Sequence, residues 1–146
     1  MAKPSELSIP FSSDKLIKRL AISCALLLAI HTFLTVLHYG FVDLPWLLRE
    51  LFDVDEEESI PTWFSSMLLL ITAIVLFLVS ILCKQRKDAN AKYWLGLGFG
   101  FAFMSIDEIA GFHETLNTVI QISWAVPGLI VVLVIGAMYV KFLTSL

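Results

Sequence analysis

The sequence predicts an all-α integral membrane protein: a four-helix bundle with a short interfacial helix in its first outer loop. Hydrophobic residues make up 58% of the chain and charged residues only 16%, compared with about 25% charged in soluble domains. Four apolar segments each approach the roughly 20 residues that cross a hydrocarbon core. Because lipid cannot satisfy backbone polar groups, each segment should be helical. The predicted spans cover residues 16–38, 62–83, 93–112 and 126–144.

Charge is unevenly distributed between the loops, and this predicts the topology. Nine basic and three acidic residues lie on one predicted side of the membrane. They belong to residues 1–14, the start of the first span, the 84–92 link and the C-terminal end. The other two connections, with the adjoining helix ends, hold ten acidic residues and one arginine. By the positive-inside rule, both termini and the 84–92 link are cytoplasmic. We therefore expect a cytoplasmic tail over 1–14 and a membrane domain over 15–146, in the cytoplasmic membrane of a bacterium.

The first outer loop, residues 39–62, contains its own helical signal. Asp43 can cap a helix whose first turn holds Pro45, and the residues after it are largely apolar. This pattern predicts a short helix lying at the interface. Three tryptophans occupy positions expected at headgroup level, where their amphipathic rings act as anchors: Trp46, Trp63 and Trp124.

Ionisable residues within predicted spans point to function, because they are costly at membrane depth. His31 and His38 lie seven residues apart, so they share one face of the first helix. Asp107 and Glu114 lie on the glycine-bearing face of the third helix, whereas Glu108 and His113 point about 100–120° to either side. A site on this helix therefore uses a subset of these residues and needs a break near Gly111. The acidic 53–59 segment is expected to be solvated.

Imidazole combined with carboxylates suits a divalent transition metal. The candidate metal ligands are His38, Asp107, His113 and Glu114. Residues that could carry protons or surround the ligands are Glu108, His31 and Ser66. One alternative is an accessory subunit of a larger membrane complex, in which these polar residues only join helices. A second is a proton-relay or transport role.

Other function classes receive little support from the sequence. The basic residues are scattered topological anchors, which argues against nucleic-acid binding. No nucleophile-and-base signature is evident, which favours a role other than catalysis. The expected partners are the lipid bilayer and a protein, either another subunit or a second copy of the chain.

Two motifs carry a resemblance to other proteins. Pro-Thr-Trp-Phe-Ser-Ser at 61–66 opens the second span, and Ser-x-Asp-Glu at 105–108 with His-Glu at 113–114 closes the third. This pattern resembles a set of small, uncharacterised bacterial four-span membrane proteins, over about two fifths of the chain. The resemblance implies no activity. It implies that the 61–66 opening and the acidic end of the third helix belong to one feature.

Overall fold

A computed structural model describes residues 12–120, 123 and 125–144, with the side chains of 116, 117 and 120 left aside. Within these residues every regular element is an α-helix, which confirms the all-α prediction. The helices are α1 (Ser13–Gly40), α2 (Trp46–Phe52), α3 (Ile60–Gln85), α4 (Ala91–Ala110), α5 (Phe112–Ile120) and α6 (Ala125–Leu143). Trp124 and most of the predicted 1–14 tail lie outside the described residues.

Three helices, α1, α3 and α6, are long and apolar enough to cross a membrane. Helix α4 occupies the third predicted span but is not among them. Its last turn contains Asp107 and Glu108, and these charges lower its hydropathy. The chain divides into two compact units, Met1–Phe52 and Asp53–Leu146, which are described separately.

In the N-terminal unit, the loop between α1 and α2 is held by His38. At the end of α1, the Phe41 and Val42 N–H groups both bond to the Leu37 carbonyl. His38 Nδ1 accepts a hydrogen bond from the Leu44 N–H at 3.1 Å, and its Nε2 lies 2.8 Å from an Arg49 guanidinium nitrogen. Helix α2 is the short helix predicted in the first loop.

In the second unit, α3 and α4 form an antiparallel hairpin joined by hydroxyl groups at both ends. Near one end, the Ser66 hydroxyl donates to the Ser105 carbonyl at 2.8 Å, and the Ser105 hydroxyl donates to the Ser66 carbonyl at 2.9 Å. Near the other end, the Ser80 hydroxyl donates to the Ala91 carbonyl at 2.8 Å. The two helices therefore pack along nearly their whole length.

Small residues allow this close approach. Ala73 is buried in α3, and a β-carbon at Gly98 in α4 would overlap the Phe77 ring. Helix α6 reaches the start of α4 through aromatic rings. Tyr139 donates a hydrogen bond to the Tyr93 carbonyl at 3.2 Å, and Phe142 stacks on the Tyr93 ring at a centroid distance of 5.0 Å.

The distribution of polar and apolar side chains is the reverse of that in a soluble domain. Five hydroxyl side chains are buried, whereas only two apolar side chains among the described residues are, Ala73 and Phe142. Large apolar side chains along every long helix are exposed. Small residues and hydroxyls inside, with apolar surface outside, are typical of helices that pack within lipid.

We predict that the reciprocal serine pair stabilises the hairpin. Ser66→Ala or Ser105→Ala removes a buried donor and leaves a partner unsatisfied, which should lower the free energy of unfolding by about 1 kcal/mol. The double variant should lose less than the sum of the two single losses, because the residues share one network. Thermal unfolding in detergent measures both effects.

Thr72→Ala is the matched control, because the Thr72 hydroxyl bonds only within its own helix, to the Leu68 carbonyl. If this control is as damaging as Ser66→Ala, the interhelical bonds contribute nothing specific.

Candidate functional site

Helix α4 ends at Ala110, and the next residue, Gly111, has a left-handed backbone conformation. Gly111 has φ 58° and ψ 33°, and its N–H bonds to the Asp107 carbonyl at 2.9 Å. Helix α5 then starts at Phe112, directly after this residue. The predicted break near Gly111 is therefore confirmed. It allows residues 113 and 114 to approach groups that a continuous helix would keep apart.

The loop before α3 is fixed by a helix cap. Ser59, which is fully buried, accepts the Thr62 N–H on its side-chain oxygen at 3.3 Å, and the Thr62 hydroxyl donates to the Glu56 carbonyl at 2.8 Å. These bonds determine the path of residues 56–59, and so position Glu57.

Glu57 packs against the glycine at the helix break. A β-carbon at Gly111 would overlap the Glu57 carboxylate, and the Glu57 side chain is only 27% exposed. The expectation of a solvated 53–59 segment holds for Asp55, Glu56 and Glu58, which are exposed. It is wrong for Glu57, because the capped loop turns this side chain toward α5.

His113 lies between two carboxylates. Its Nδ1 is 3.3 Å from Asp107 Oδ2, and its Nε2 is 3.7 Å from Glu57 Oε1. All three side chains are largely shielded, with exposures of 20 to 27%. The imidazole therefore has one carboxylate facing each ring nitrogen.

Three residues bring potential ligand atoms together. Glu57, His113 and Glu114 each offer one atom, and these atoms lie within 4.8 Å of one another. Three points at that spacing fall within about 2.8 Å (4.8 Å divided by √3) of a common centre. Metal–ligand bonds to histidine and carboxylate are about 2.0–2.2 Å. Each atom would therefore need to move inward by less than about 1 Å to bind one ion.

A cavity of about 190 Å³, open to solvent, adjoins these atoms. It is lined by Val54, Asp55, Glu57, Thr62, Glu108, His113 and Glu114. Glu108 reaches it from α4, and its Oε1 accepts a hydrogen bond from the Ser65 hydroxyl of α3. The cavity is thus bordered by four carboxylates and one imidazole.

The crowding of acids affects the ionisation of Glu57. Its pKa is raised above the usual carboxyl range, mainly by partial burial and then by the negative charge of Glu114. Asp107 and Glu108 act in the same direction more weakly, while His113 opposes them. Both causes act by making the ionised form of Glu57 less favourable.

The structure brings together three of the four predicted ligands, although in different roles. His113 and Glu114 belong to the close group, while Asp107 faces the other nitrogen of His113. Glu108 lines the cavity, and Ser66 bonds to Ser105 rather than to an acid.

His31 and His38 belong to the N-terminal unit. His31 is half-buried in α1, and the His38 ring contacts Arg49 and the Leu44 N–H. Their proposed roles in a metal or proton site stay predictions.

Sequence reasoning missed Glu57 and Ser65. Glu57 lies in the loop just before α3, and Ser65 lies near the start of α3. This end of α3 is the one beside the C-terminal end of α4. The resemblance implies that the 61–66 motif and the acidic end of the third helix belong to one feature. That implication indicates this region of the protein, but it does not identify either side chain.

Comparison with known proteins assigns the chain to a family. The family described as "Domain of unknown function (DUF8692)" matches residues 19–146, so the chain belongs to it. No curated protein and no solved structure matches the chain.

We predict that Gly111→Ala is strongly destabilising. A left-handed conformation costs a residue with a β-carbon about 1–2 kcal/mol, and the new methyl group must also displace the Glu57 carboxylate. Chemical or thermal unfolding in detergent measures the loss.

Gly100→Ala serves as the control, because nothing lies within 4 Å of a β-carbon there. In a helix interior this change should be neutral or stabilising by up to about 1 kcal/mol. Equal effects of the two substitutions would contradict the packing of Glu57 on Gly111.

Proposed function

We propose that this protein is a multi-pass membrane protein that binds a divalent transition-metal ion at its outer face through Glu57, His113 and Glu114. The observation that carries the proposal is the close approach of their three ligand atoms, all within 4.8 Å of one another. One imidazole and two carboxylates form a donor set that suits zinc, manganese or iron.

Asp107 supports this site without being a ligand. Metal-binding histidines generally donate their second ring N–H to a carboxylate, which fixes the tautomer and the ring orientation. Asp107 Oδ2 lies 3.3 Å from His113 Nδ1, so a proton on Nδ1 would face a carboxylate. The lone pair of Nε2 then points to the side where Glu57 lies.

Charge balance also favours a cation. Glu57, Asp107, Glu108 and Glu114 formally carry four negative charges, and the only charge that His113 can contribute is positive. Glu57, Asp107 and Glu108 are partly shielded, whereas Glu114 is exposed. The pKa of Glu57 is raised by its partial burial and by the neighbouring negative charges. A divalent ion removes most of this repulsion.

The packing of α4 against α3 supports the proposed membrane topology. A helix that packs along a membrane-spanning helix from end to end crosses the same thickness. The bonds of Ser66 to Ser105 and of Ser80 to Ala91 place α4 beside α3 in this way. We therefore propose that α4 is a fourth span, despite its two acids. With the basic 84–92 link inside, both termini lie in the cytoplasm and the metal site faces outward.

The resemblance to small bacterial membrane proteins supports placing the chain in a bacterial cytoplasmic membrane. The anchors Trp46 and Trp63 are each more than half exposed, as expected for rings at headgroup level.

The topology is tested by reporter fusions. We expect cytoplasmic signals at Asn90 and after Leu146, and an external signal at Glu58. If α4 does not cross the membrane, the ends of the chain lie on opposite sides, which would contradict the four-span proposal.

Metal binding is tested by calorimetric titration of the chelator-treated protein with Zn²⁺ and Mn²⁺. The expected stoichiometry is one ion per chain. Glu57→Gln and His113→Gln should weaken binding at least about tenfold, because each removes a ligand.

Glu58→Gln is the control, since it removes the same charge from an exposed neighbouring position. If it weakens binding as much as Glu57→Gln, the effect is general electrostatic attraction and not a built site. Asp107→Asn should retain the stoichiometry with an affinity about 10–100-fold lower.

A further inference from the structure

We infer that the proposed metal site hydrolyses an uncharged carboxylic ester at the membrane surface, with Glu108 as the general base. The inference rests on the proposed function, because the bound ion must activate the water. Three steps lead to it: the open coordination position, the placement of Glu108, and the charge and size of the cavity.

The first step concerns the ion. Three protein ligands leave at least one position vacant on a four-coordinate metal, the arrangement found in catalytic and not in structural zinc sites. Here the adjoining cavity of about 190 Å³ is open to solvent, so water can occupy that position. A metal-bound water loses its proton far more readily than bulk water and becomes a nucleophile near neutral pH.

The second step concerns Glu108. It lines the same cavity as Glu57, His113 and Glu114 but does not belong to the close ligand group. Its Oε1 is held by the Ser65 hydroxyl, which fixes the carboxylate from the α3 side. A positioned carboxylate beside, and not on, the metal is what proton abstraction from a bound water requires. Ser65 is then a positioning residue for Glu108.

The third step concerns the substrate. The cavity is lined by four carboxylates, those of Asp55, Glu57, Glu108 and Glu114. One divalent ion leaves them a formal excess of two negative charges, which repels phosphate esters and free carboxylates. The cavity accommodates a small reacting group but not a long chain. Trp63, Met67 and Ile106, on the same ends of α3 and α4, are each more than half exposed. An ester carbonyl can therefore enter while its hydrocarbon part remains in lipid.

The reaction balances without another reagent. The water oxygen forms a bond to the carbonyl carbon as its proton passes to Glu108. The bond from that carbon to the ester oxygen breaks, and the proton on Glu108 goes to the departing alkoxide. The products are a carboxylic acid and an alcohol.

The test uses the full chain in phosphatidylcholine vesicles, loaded with Zn²⁺. The neutral probe is 4-methylumbelliferyl oleate, and the anionic comparison is 4-methylumbelliferyl phosphate. We expect turnover of the oleate ester and not of the phosphate, with loss of activity on chelation. Glu108→Gln should bind Zn²⁺ with the wild-type stoichiometry but hydrolyse the ester at least about 100-fold more slowly.

Two further variants separate positioning from folding. Ser65→Ala should lower kcat with little change in KM or in Zn²⁺ affinity, and Ser65→Thr should restore much of the rate. Glu58→Gln should leave the activity unchanged.

Zn²⁺ binding without hydrolysis, or equal rates for Glu108→Gln and the wild type, would overturn this inference but leave the metal site intact. Cleavage of the phosphate in place of the ester would overturn the substrate class. Failure of the wild type to bind Zn²⁺ would overturn the proposed function itself.

Discussion

The antiparallel contact between α3 and α4 determines where every residue of the candidate site lies. Ser66 and Ser105 exchange hydrogen bonds through both hydroxyls and both carbonyls, so the register of the two helices is fixed at one level. Two turns before Ser66, α3 begins at its Ser59 cap. Two turns after Ser105, α4 ends at Gly111. The capped loop and the helix break therefore meet at the same end of the hairpin.

The contact between the capped loop and the helix break brings several carboxylates close together. Their mutual repulsion is unfavourable unless a positive charge lies among them. Glu57 packs on Gly111, where a side chain would exclude it, and faces His113. Partial burial, and then the surrounding carboxylates, raise its pKa. Neutral hydroxyl groups would be enough to join the two helices, and they do so deeper in the hairpin. The concentration of acids around one imidazole supports the proposal that a cation binds among them.

The helices that are long and apolar enough to cross a membrane could be predicted from composition, because lipid can accommodate so much apolar surface on single helices. The break at Gly111 could also be predicted, since a straight helix cannot direct Asp107, His113 and Glu114 to one place. Both features depend on local sequence and helical geometry.

Glu57 could not be identified in this way. It lies among five acids in six residues, and nothing local distinguishes it from Glu56 or Glu58. Its position depends on the Ser59 cap and on long-range packing against Gly111. His38 shows the opposite case: its helical face and depth suggested a ligand, whereas its ring contacts Arg49 and a loop amide in its own unit. Those contacts depend on how the chain folds back after α1.

The most direct test of the account is X-ray absorption spectroscopy of the Zn²⁺-loaded protein at the metal edge. The proposed site predicts one imidazole and otherwise oxygen ligands at about 2.0–2.2 Å, with the imidazole signal absent in His113→Gln. Sulfur scattering from Cys24 or Cys83, or an imidazole signal that persists in His113→Gln, would contradict it.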